Sequence, residues 1–255
     1  MTNIYASIEN ARTMGKKAAL CIITDSKGSA PQKQSAKMIV YEDGSIEGTV
    51  GGGRLEMLAI KDAQEAISTS KPTKRVYDLA KDLDMSCGGV TEMYIEPILP
   101  DLKLYIFGSG HVGQAVARYA PDFDFQVTLF DDREIPVNAS PNVNLNYIGK
   151  DCSDSIEDVI FDTSTFVMIA THTHATDEKL LSICAKKPSA YIGMIGSTKK
   201  ISQARKRLTE QNILTEKELN RVDMPIGIAF NAVSPQEIAV SILAKMIDVK
   251  NTMTI

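Results

Sequence analysis

The stretch from Leu104 to Arg133 constrains this chain more than any other. Leu104-Tyr-Ile-Phe107 is an apolar run that enters Gly108-Ser-Gly-His-Val-Gly113. The chain continues through Gln-Ala-Val-Ala-Arg118 and, after a turn, reads Gln126-Val-Thr-Leu-Phe-Asp131-Asp-Arg133. The pattern is strand, Gly-x-Gly-x-x-Gly turn, helix and second strand ending in acid. Gly108 permits the tight turn off the first strand. Gly110 lets a phosphate approach the backbone, and Gly113 lets the helix pack closely on the strand. Asp131 stands about 20 residues beyond the glycines, where a carboxylate meets a ribose hydroxyl in a dinucleotide-binding fold. This setting specifies a Rossmann-like fold. It leaves open both a bound nucleotide and an empty crevice packed by the same glycines.

The surrounding pattern extends that reading. Strands are predicted at 102–108, 126–130, 165–170 and 190–195, with a weaker one near 144–148 and helices between them. Such alternation implies a parallel sheet covered on both faces. Ser234-Pro-Gln-Glu237 opens the last helix, with Ser234 as N-cap, Pro235 at the first helical position and Glu237 closing a capping box. Upstream, Glu96-Pro-Ile-Leu-Pro-Asp101 reads as a stiff connector. It separates a smaller N-terminal α+β domain, 1–98, from the Rossmann-like domain, 99–255. The first domain begins with an amphipathic helix over about 15 residues. A strand at 18–24 follows, then a hairpin of 37–41 and 46–50 across Asp43-Gly44. A helix through about Ser68 and strands at 76–80 and 91–98 complete it.

The chain's 255 residues suffice for two such domains. A net charge of −4 argues against a dedicated nucleic-acid binder. No apolar run reaches a membrane span, and the first residues have neither the basic nor the apolar region of a secretory leader. The four cysteines form no Cys-x-x-Cys pair and no disulfide framework. A reducing cytoplasm fits this usage.

Other segments carry candidate chemistry. Gly51-Gly-Gly53 lies between a strand and a helix, where its amides can face an anion at the positive helix end. Arg54 can add a charged fork there, and Glu56 can hold a polar ligand. A tight turn at a backbone crossing explains the glycines equally well. Cys87, before Gly88-Gly89, is either a thiolate for a soft metal or for sulfur, or a small buried apolar residue. Thr171-His-Thr-His-Ala-Thr-Asp177 follows a strand, so His172 and His174 sit at the carboxyl edge of the sheet, where open α/β folds bind ligands. Hydrogen-bonding or acid–base roles suit them better than a tightly bound zinc. Gly193-Met-Ile-Gly-Ser197-Thr-Lys-Lys200 again ends a strand and opens a helix, with Ser197 as its cap and an anion nearby. Lys200 to Arg207 reads equally as a solvated helix face.

Taken in order, these pieces resemble the XdhC family, the accessory proteins of xanthine dehydrogenase and related molybdenum hydroxylases. The motifs are Gly28-Ser-Ala-Pro31 with Ala36-Lys-Met38, Gly48-Thr-Val-Gly-Gly-Gly53 with Leu55-Glu56, Cys87-Gly-Gly89 and Ile95-Glu-Pro97. They continue with Phe107-Gly-Ser-Gly-His111-Val-Gly113, Asp131-Asp-Arg133, Thr171-His-Thr-His174, Tyr191-Ile-Gly-Met-Ile-Gly-Ser197 and Ser234-Pro-Gln-Glu237. The family often has arginine where this chain has Gln32, and glycine where it has Ser35. The resemblance implies a chaperone that holds molybdenum cofactor (molybdopterin), allows its sulfuration by a cysteine desulfurase and aids insertion into a hydroxylase. It implies cofactor contacts at Gly51, Gly52, Gly53, Glu56, Gly108, Gly110, His111, Gly113, Asp131, His172, His174 and Ser197, with Cys87 nearest the metal. NAD or another nucleotide is a further expected ligand. An interface between the domains, or between the two halves of a homodimer, is expected to complete the site. The alternatives are an NAD(P)-dependent oxidoreductase, which would need His172 or His174 as its acid, and an interaction module with an empty crevice.

Overall fold

The central strands of both sheets are buried along most of their length, so each sheet carries helices on both faces. The computed structural model describes residues 3–28, 32–79, 89–133, 146–149 and 152–253. The chain divides between Pro100 and Asp101 into two units.

The N-terminal unit runs α1 (Ile4–Thr13), β1 (Ala18–Gly28), β2 (Lys37–Tyr41), β3 (Ile46–Gly48), α2 (Gly53–Thr69), β4 (Thr73–Asp78) and β5 (Gly89–Ile98). Its sheet has the order β3-β2-β1-β5-β4, and every neighbouring pair is antiparallel. Successive strand residues point to opposite faces. Ala19, Cys21 and Ile23 therefore pack with Leu55, Ala59, Ala63 and Ile67 of α2. Ala18 and Leu20 pack with Ala11 of α1 on the other side. β1 runs four residues past the predicted Thr24. Asp25 to Gly28 pair with Glu92 to Gly89 beyond a bulge at Ile23/Asp25, and their polar side chains hid this extension from a hydrophobic pattern. β3 stops at Gly48, whose φ of +84° turns the chain out of the strand.

Ser35 has a φ of +75°, in the region where a Cβ crowds the following carbonyl. The resemblance leads one to expect glycine at this position. Ser35→Gly relieves about 1–2 kcal/mol of strain but adds backbone entropy to the unfolded chain. A net stabilisation of about 0.5–1 kcal/mol is expected, read as a higher denaturation midpoint.

The C-terminal unit runs β6 (Leu102–Phe107), α3 (His111–Tyr119), β7 (Phe125–Phe130), β8 (Asn146–Ile148), α4 (Cys152–Ser155) and β9 (Thr165–Ile169). It continues with α5 (His174–Cys184), β10 (Tyr191–Met194), α6 (Thr198–Glu210), α7 (Glu216–Leu219), β11 (Val222–Asp223) and α8 (Pro235–Thr252). The six strands form one parallel sheet in the order β11-β10-β9-β6-β7-β8. Tyr105, Phe107, Val167, Ile169 and Ile192 pack under α5 and α6 against Leu180, Leu181, Ile201 and Leu208. Leu104, Ile106, Phe166, Met168 and Tyr191 pack on the opposite face against Val116, Ala239, Ile242 and Met246 of α3 and α8. This is a doubly wound α/β sheet, as the alternating pattern implies. β11 has no counterpart in the sequence pattern, since two residues carry no periodic signal. The capping box is present: Ser234 Oγ accepts from the Glu237 amide at 3.2 Å, and Glu237 Oε2 accepts from the Ser234 amide at 3.1 Å. Among the described residues no helix is long and apolar enough to cross a membrane.

Candidate functional site

Three turns converge on one edge of the C-terminal sheet. β6, β9 and β10 are parallel neighbours, so Gly108–Gly113, Thr171–Asp177 and Gly196–Lys200 all leave its carboxyl ends. In an open α/β sheet that edge is the ligand-binding one.

The three glycines of the first turn do different work. Gly108 has a φ of +115°, and a Cβ there would lie 2.1 Å from the Ala170 carbonyl oxygen. Its amide donates to Phe130 O at 2.8 Å, while the Ala170 amide donates to Phe107 O at 2.8 Å. Gly108 is thus wedged between the ends of β7 and β9. A Cβ on Gly113 would lie 2.0 Å from the Gly108 carbonyl oxygen, so this residue brings α3 hard against the turn. Gly110, the N-cap of α3, has an ordinary φ of −63°. A Cβ there meets nothing within 4 Å. Neither packing nor backbone conformation requires glycine at this position, and the space before it suits the approach of an anion to a helix N-terminus. His111 is exposed at the first position of the same helix.

Asp131 is 2% exposed. Its Oδ2 accepts from the Ser109 amide at 2.6 Å and the Ser109 hydroxyl at 2.8 Å. Its Oδ1 accepts from the Arg133 amide at 3.0 Å. The Arg133 guanidinium forks onto both oxygens at 2.8 Å. Burial alone would raise this carboxyl, but the bonds from Arg133 and Ser109 outweigh burial and hold it far below the usual carboxylate range. Asp131 therefore ties the glycine turn to β7. A depressed folded pKa gives stability that is present above the unfolded carboxyl pKa of about 3.9 and is lost as pH falls toward the folded value. Asp131→Asn is expected to cost about 1–3 kcal/mol at neutral pH. The gap from wild type should narrow below about pH 4 in urea titrations.

The second turn is locked from within. Asp177 Oδ1 accepts from the Thr171 amide at 2.9 Å and the Thr171 hydroxyl at 2.7 Å, and Thr173 caps α5. Burial raises the Asp177 carboxyl, against those bonds and the nearby His174 and His172. His174 Nδ1 stands 3.7 Å from Asp177 Oδ2. His172 Nδ1 stands 3.9 Å from Asp132 Oδ1. Because β6 lies between β7 and β9, this last contact reaches across the end of β6 above the glycine turn. Both side chains are about half exposed. Among the described residues no group of three His, Cys, Asp or Glu side chains is placed to hold a metal.

Ser197 caps α6, accepting from the Lys200 amide at 3.5 Å. A cleft of ≈ 60 Å³ lies beside it, lined by His174, Asp177, Gly196, Lys200 and Arg207 among others. Small-molecule pockets span roughly 300–1,000 Å³, so this cleft is too small to hold a cofactor by itself.

In the N-terminal unit the triple glycine is less open than its sequence suggests. The amides of Val50 and Gly52 donate to Glu56 Oε1 at 3.2 and 2.9 Å, the Thr49 hydroxyl also donates to it, and the Gly51 amide donates to Thr49 Oγ1 at 3.2 Å. The chain's own carboxylate already occupies part of the expected anion cradle, which corrects the expectation of unobstructed amides. Gly52 and Gly53 have φ of +75° and +61° with nothing near a would-be Cβ, so the backbone turn is what requires glycine there.

Cys87 lies outside the described residues. Burial pushes the thiols of Cys21 and Cys184 up to about 12, and Cys152 is also buried. Sequence reasoning missed the Tyr191–Asp223 pair. The Tyr191 hydroxyl and the Gly227 amide both donate to Asp223 Oδ2, at 2.5 and 2.9 Å, holding the segment after β11 against β10. Nothing in the local sequence marks two residues 32 positions apart as partners.

A family model described as the XdhC Rossmann domain matches residues 104–246, and a second, described as the XdhC and CoxI family, matches residues 11–78. The chain belongs to the XdhC family. Relatives include the uncharacterized protein YqeB of Escherichia coli (strain K12), 30% identical over 98% of this chain and 46% of YqeB. A probable xanthine dehydrogenase subunit of Bacillus subtilis (strain 168) is 25% identical over 65% of this chain and 48% of that protein. The molybdenum cofactor insertion chaperone PaoD of Escherichia coli (strain K12) is 22% identical over 92% of this chain and 84% of PaoD. The chain thus spans about half the length of the first two. A crystal structure described as a xanthine dehydrogenase from Bacillus halodurans shares the fold, with a TM-score of 0.52 and 21% identity over 99% of this chain and 96% of the other. The XdhC models cover both glycine-rich turns of this chain and the whole carboxyl edge from Gly108 to Lys200.

Proposed function

We propose that this XdhC-family chain binds molybdenum cofactor in the cytoplasm, presents it for sulfuration by a cysteine desulfurase and passes it to a hydroxylase of the xanthine dehydrogenase type. The observation that carries this reading is the alignment of almost the whole chain with a relative named as a molybdenum cofactor insertion chaperone, joined to the open space before Gly110. The residues present suit the cofactor's phosphate end. Gly110 leaves room for it at the N-terminus of α3, and Arg133, His172 and Ser197 stand at the same sheet edge with polar groups. When bound, the cofactor supplies a dithiolene-held metal. For a soft metal the suitable protein donor is a thiolate. Cys21, Cys152 and Cys184 are all buried, the first and last with raised thiols, which favours Cys87 as the donor.

Cys87→Ser tests this directly. The variant is expected to keep the wild-type melting temperature and to retain several-fold less molybdenum after incubation with the cofactor and desalting. A lower melting temperature with unchanged molybdenum content would assign Cys87 to packing alone, where an unpaired buried hydroxyl costs about 1–3 kcal/mol.

A further inference from the structure

Charge is divided sharply within the C-terminal unit. Residues 179–209 carry eight Lys and Arg and no Asp or Glu, whereas the rest of 101–253 carries eight Lys and Arg against 19 Asp and Glu. Three of the eight in the basic stretch serve the fold. Arg205 donates to the Leu219 carbonyl at 2.8 Å, Arg207 forks onto Glu178, and Lys187 stands 3.6 Å from Glu157. Lys186 lies near Glu218 of α7. The other four, Lys179, Lys199, Lys200 and Lys206, are exposed. Among the described residues the side chains of the first three make no hydrogen bond or ion pair. Lys206 meets Glu210 at 3.7 Å with its side chain 73% exposed, a pair that opens readily to a competing anion.

These lysines share one surface. The apolar residues of α5 and α6 belong to one core, so the two helices cover the same face of the sheet. Leu180, Leu181 and Cys184 turn one side of α5 inward, and Ile201, Ala204 and Leu208 do the same for α6. Lys199 and Lys206 stand about two helical turns apart on the side of α6 opposite its buried residues. Lys200 lines the cleft with His174 at the start of α5. Both helices begin at the carboxyl edge of the sheet, so Lys199 and Lys200 adjoin the candidate site. A row of unpaired lysines fits an acidic partner, and the surrounding charge decides which kind. A nucleic acid is a continuous polyanion, and beyond these four lysines it would run onto a unit rich in Asp and Glu. A folded protein can present carboxylates only where the lysines meet them.

We propose that the outer face of α5 and α6 is a docking surface for an acidic patch on a folded protein, engaged by Lys179, Lys199, Lys200 and Lys206, and that this protein is the recipient hydroxylase. The choice of partner rests on the carrier reading: handover releases the cofactor at the edge these lysines flank, whereas sulfuration acts at the metal end assigned to Cys87.

The test is surface-plasmon kinetics of the full chain on an immobilised apo-hydroxylase of the xanthine dehydrogenase type. Lys199→Glu combined with Lys206→Glu is expected to slow association about tenfold or more at low salt, with dissociation changed less than about threefold. The corresponding double Gln variant should lose less, and the gap should shrink as salt is raised. Melting temperature should stay at the wild-type value, since both side chains are exposed. Lys61→Glu makes the same kind of charge change on α2 and should leave association within about twofold of wild type. Four results overturn the proposal: association unaffected by the double Glu variant, an equal loss in Lys61→Glu, tighter binding to a DNA oligonucleotide than to the apo-hydroxylase, or lysine-dependent binding to the cysteine desulfurase in place of the hydroxylase. Absence of any binding to the hydroxylase overturns it as well. Molybdenum retention by the wild-type chain is measured separately. Lysine-dependent docking without retention leaves the surface standing and sinks the carrier reading, and retention without such docking does the reverse.

Discussion

Replacing Gly108 or Gly113 by alanine is expected to cost the C-terminal unit about 3–5 kcal/mol each, enough to leave it largely unfolded if its stability is ordinary. Added Cβ atoms usually find a flexible side chain that yields. Here each would meet backbone: the Ala170 carbonyl oxygen at 2.1 Å for Gly108 and the Gly108 carbonyl oxygen at 2.0 Å for Gly113. Neither oxygen can withdraw freely, because Ala170 directly follows β9 with its amide bonded to Phe107, and Gly108 is hydrogen-bonded to Phe130 at the end of β7. Gly108 adds the strain of a φ of +115° for any residue with a Cβ. Urea denaturation followed by circular dichroism reads the effect. A loss below about 1 kcal/mol for both variants would mean that the turn yields more readily than this geometry allows.

Gly110 should behave in the opposite way. Gly110→Ala is expected to change stability by less than about 1 kcal/mol, since φ is ordinary and no atom lies within 4 Å of the new methyl group. Gly110→Leu should fold as well. Both should weaken retention of a phosphate-bearing cofactor, the leucine by about tenfold or more, because the side chain fills the approach to the α3 amides. Equilibrium dialysis against molybdenum cofactor, with molybdenum and phosphate measured in the protein fraction, separates binding from folding. Undiminished binding by Gly110→Leu would place the cofactor elsewhere. The three glycines of one motif are thus expected to divide, two serving the fold and one the ligand.

That division was only partly legible in the sequence. The strand–turn–helix setting of Gly108, Gly110 and Gly113 specified the sheet, because glycine spacing and hydrophobic periodicity are local signals. The alternation downstream placed His172 and Ser197 on the same edge. The role of Asp131 was not legible. Its position in the pattern suited a ribose acceptor, and only the structure brings Ser109 and Arg133 around it. Glu56 is a similar case: a carboxylate a few residues after a glycine run reads as a ligand contact, yet it folds back onto the amides of Val50 and Gly52. The Tyr191–Asp223 pair and β11 depend on contacts distant in sequence, which periodicity does not carry. Ser35 lay between these cases. Its departure from the family's glycine was visible as a motif mismatch, and the left-handed φ gives that mismatch a physical cost.

The chain is proposed to carry molybdenum cofactor. The most direct measurement is reconstitution of an apo-hydroxylase of the xanthine dehydrogenase type with free molybdenum cofactor, a cysteine desulfurase and cysteine, with and without this protein. Hydroxylase activity and molybdenum content should both rise several-fold when the protein is present, and Gly110→Leu should abolish the gain while remaining folded. Activation that is the same with and without the protein, together with steady oxidation of NADH by the purified chain in the presence of a small carbonyl substrate, would contradict the account.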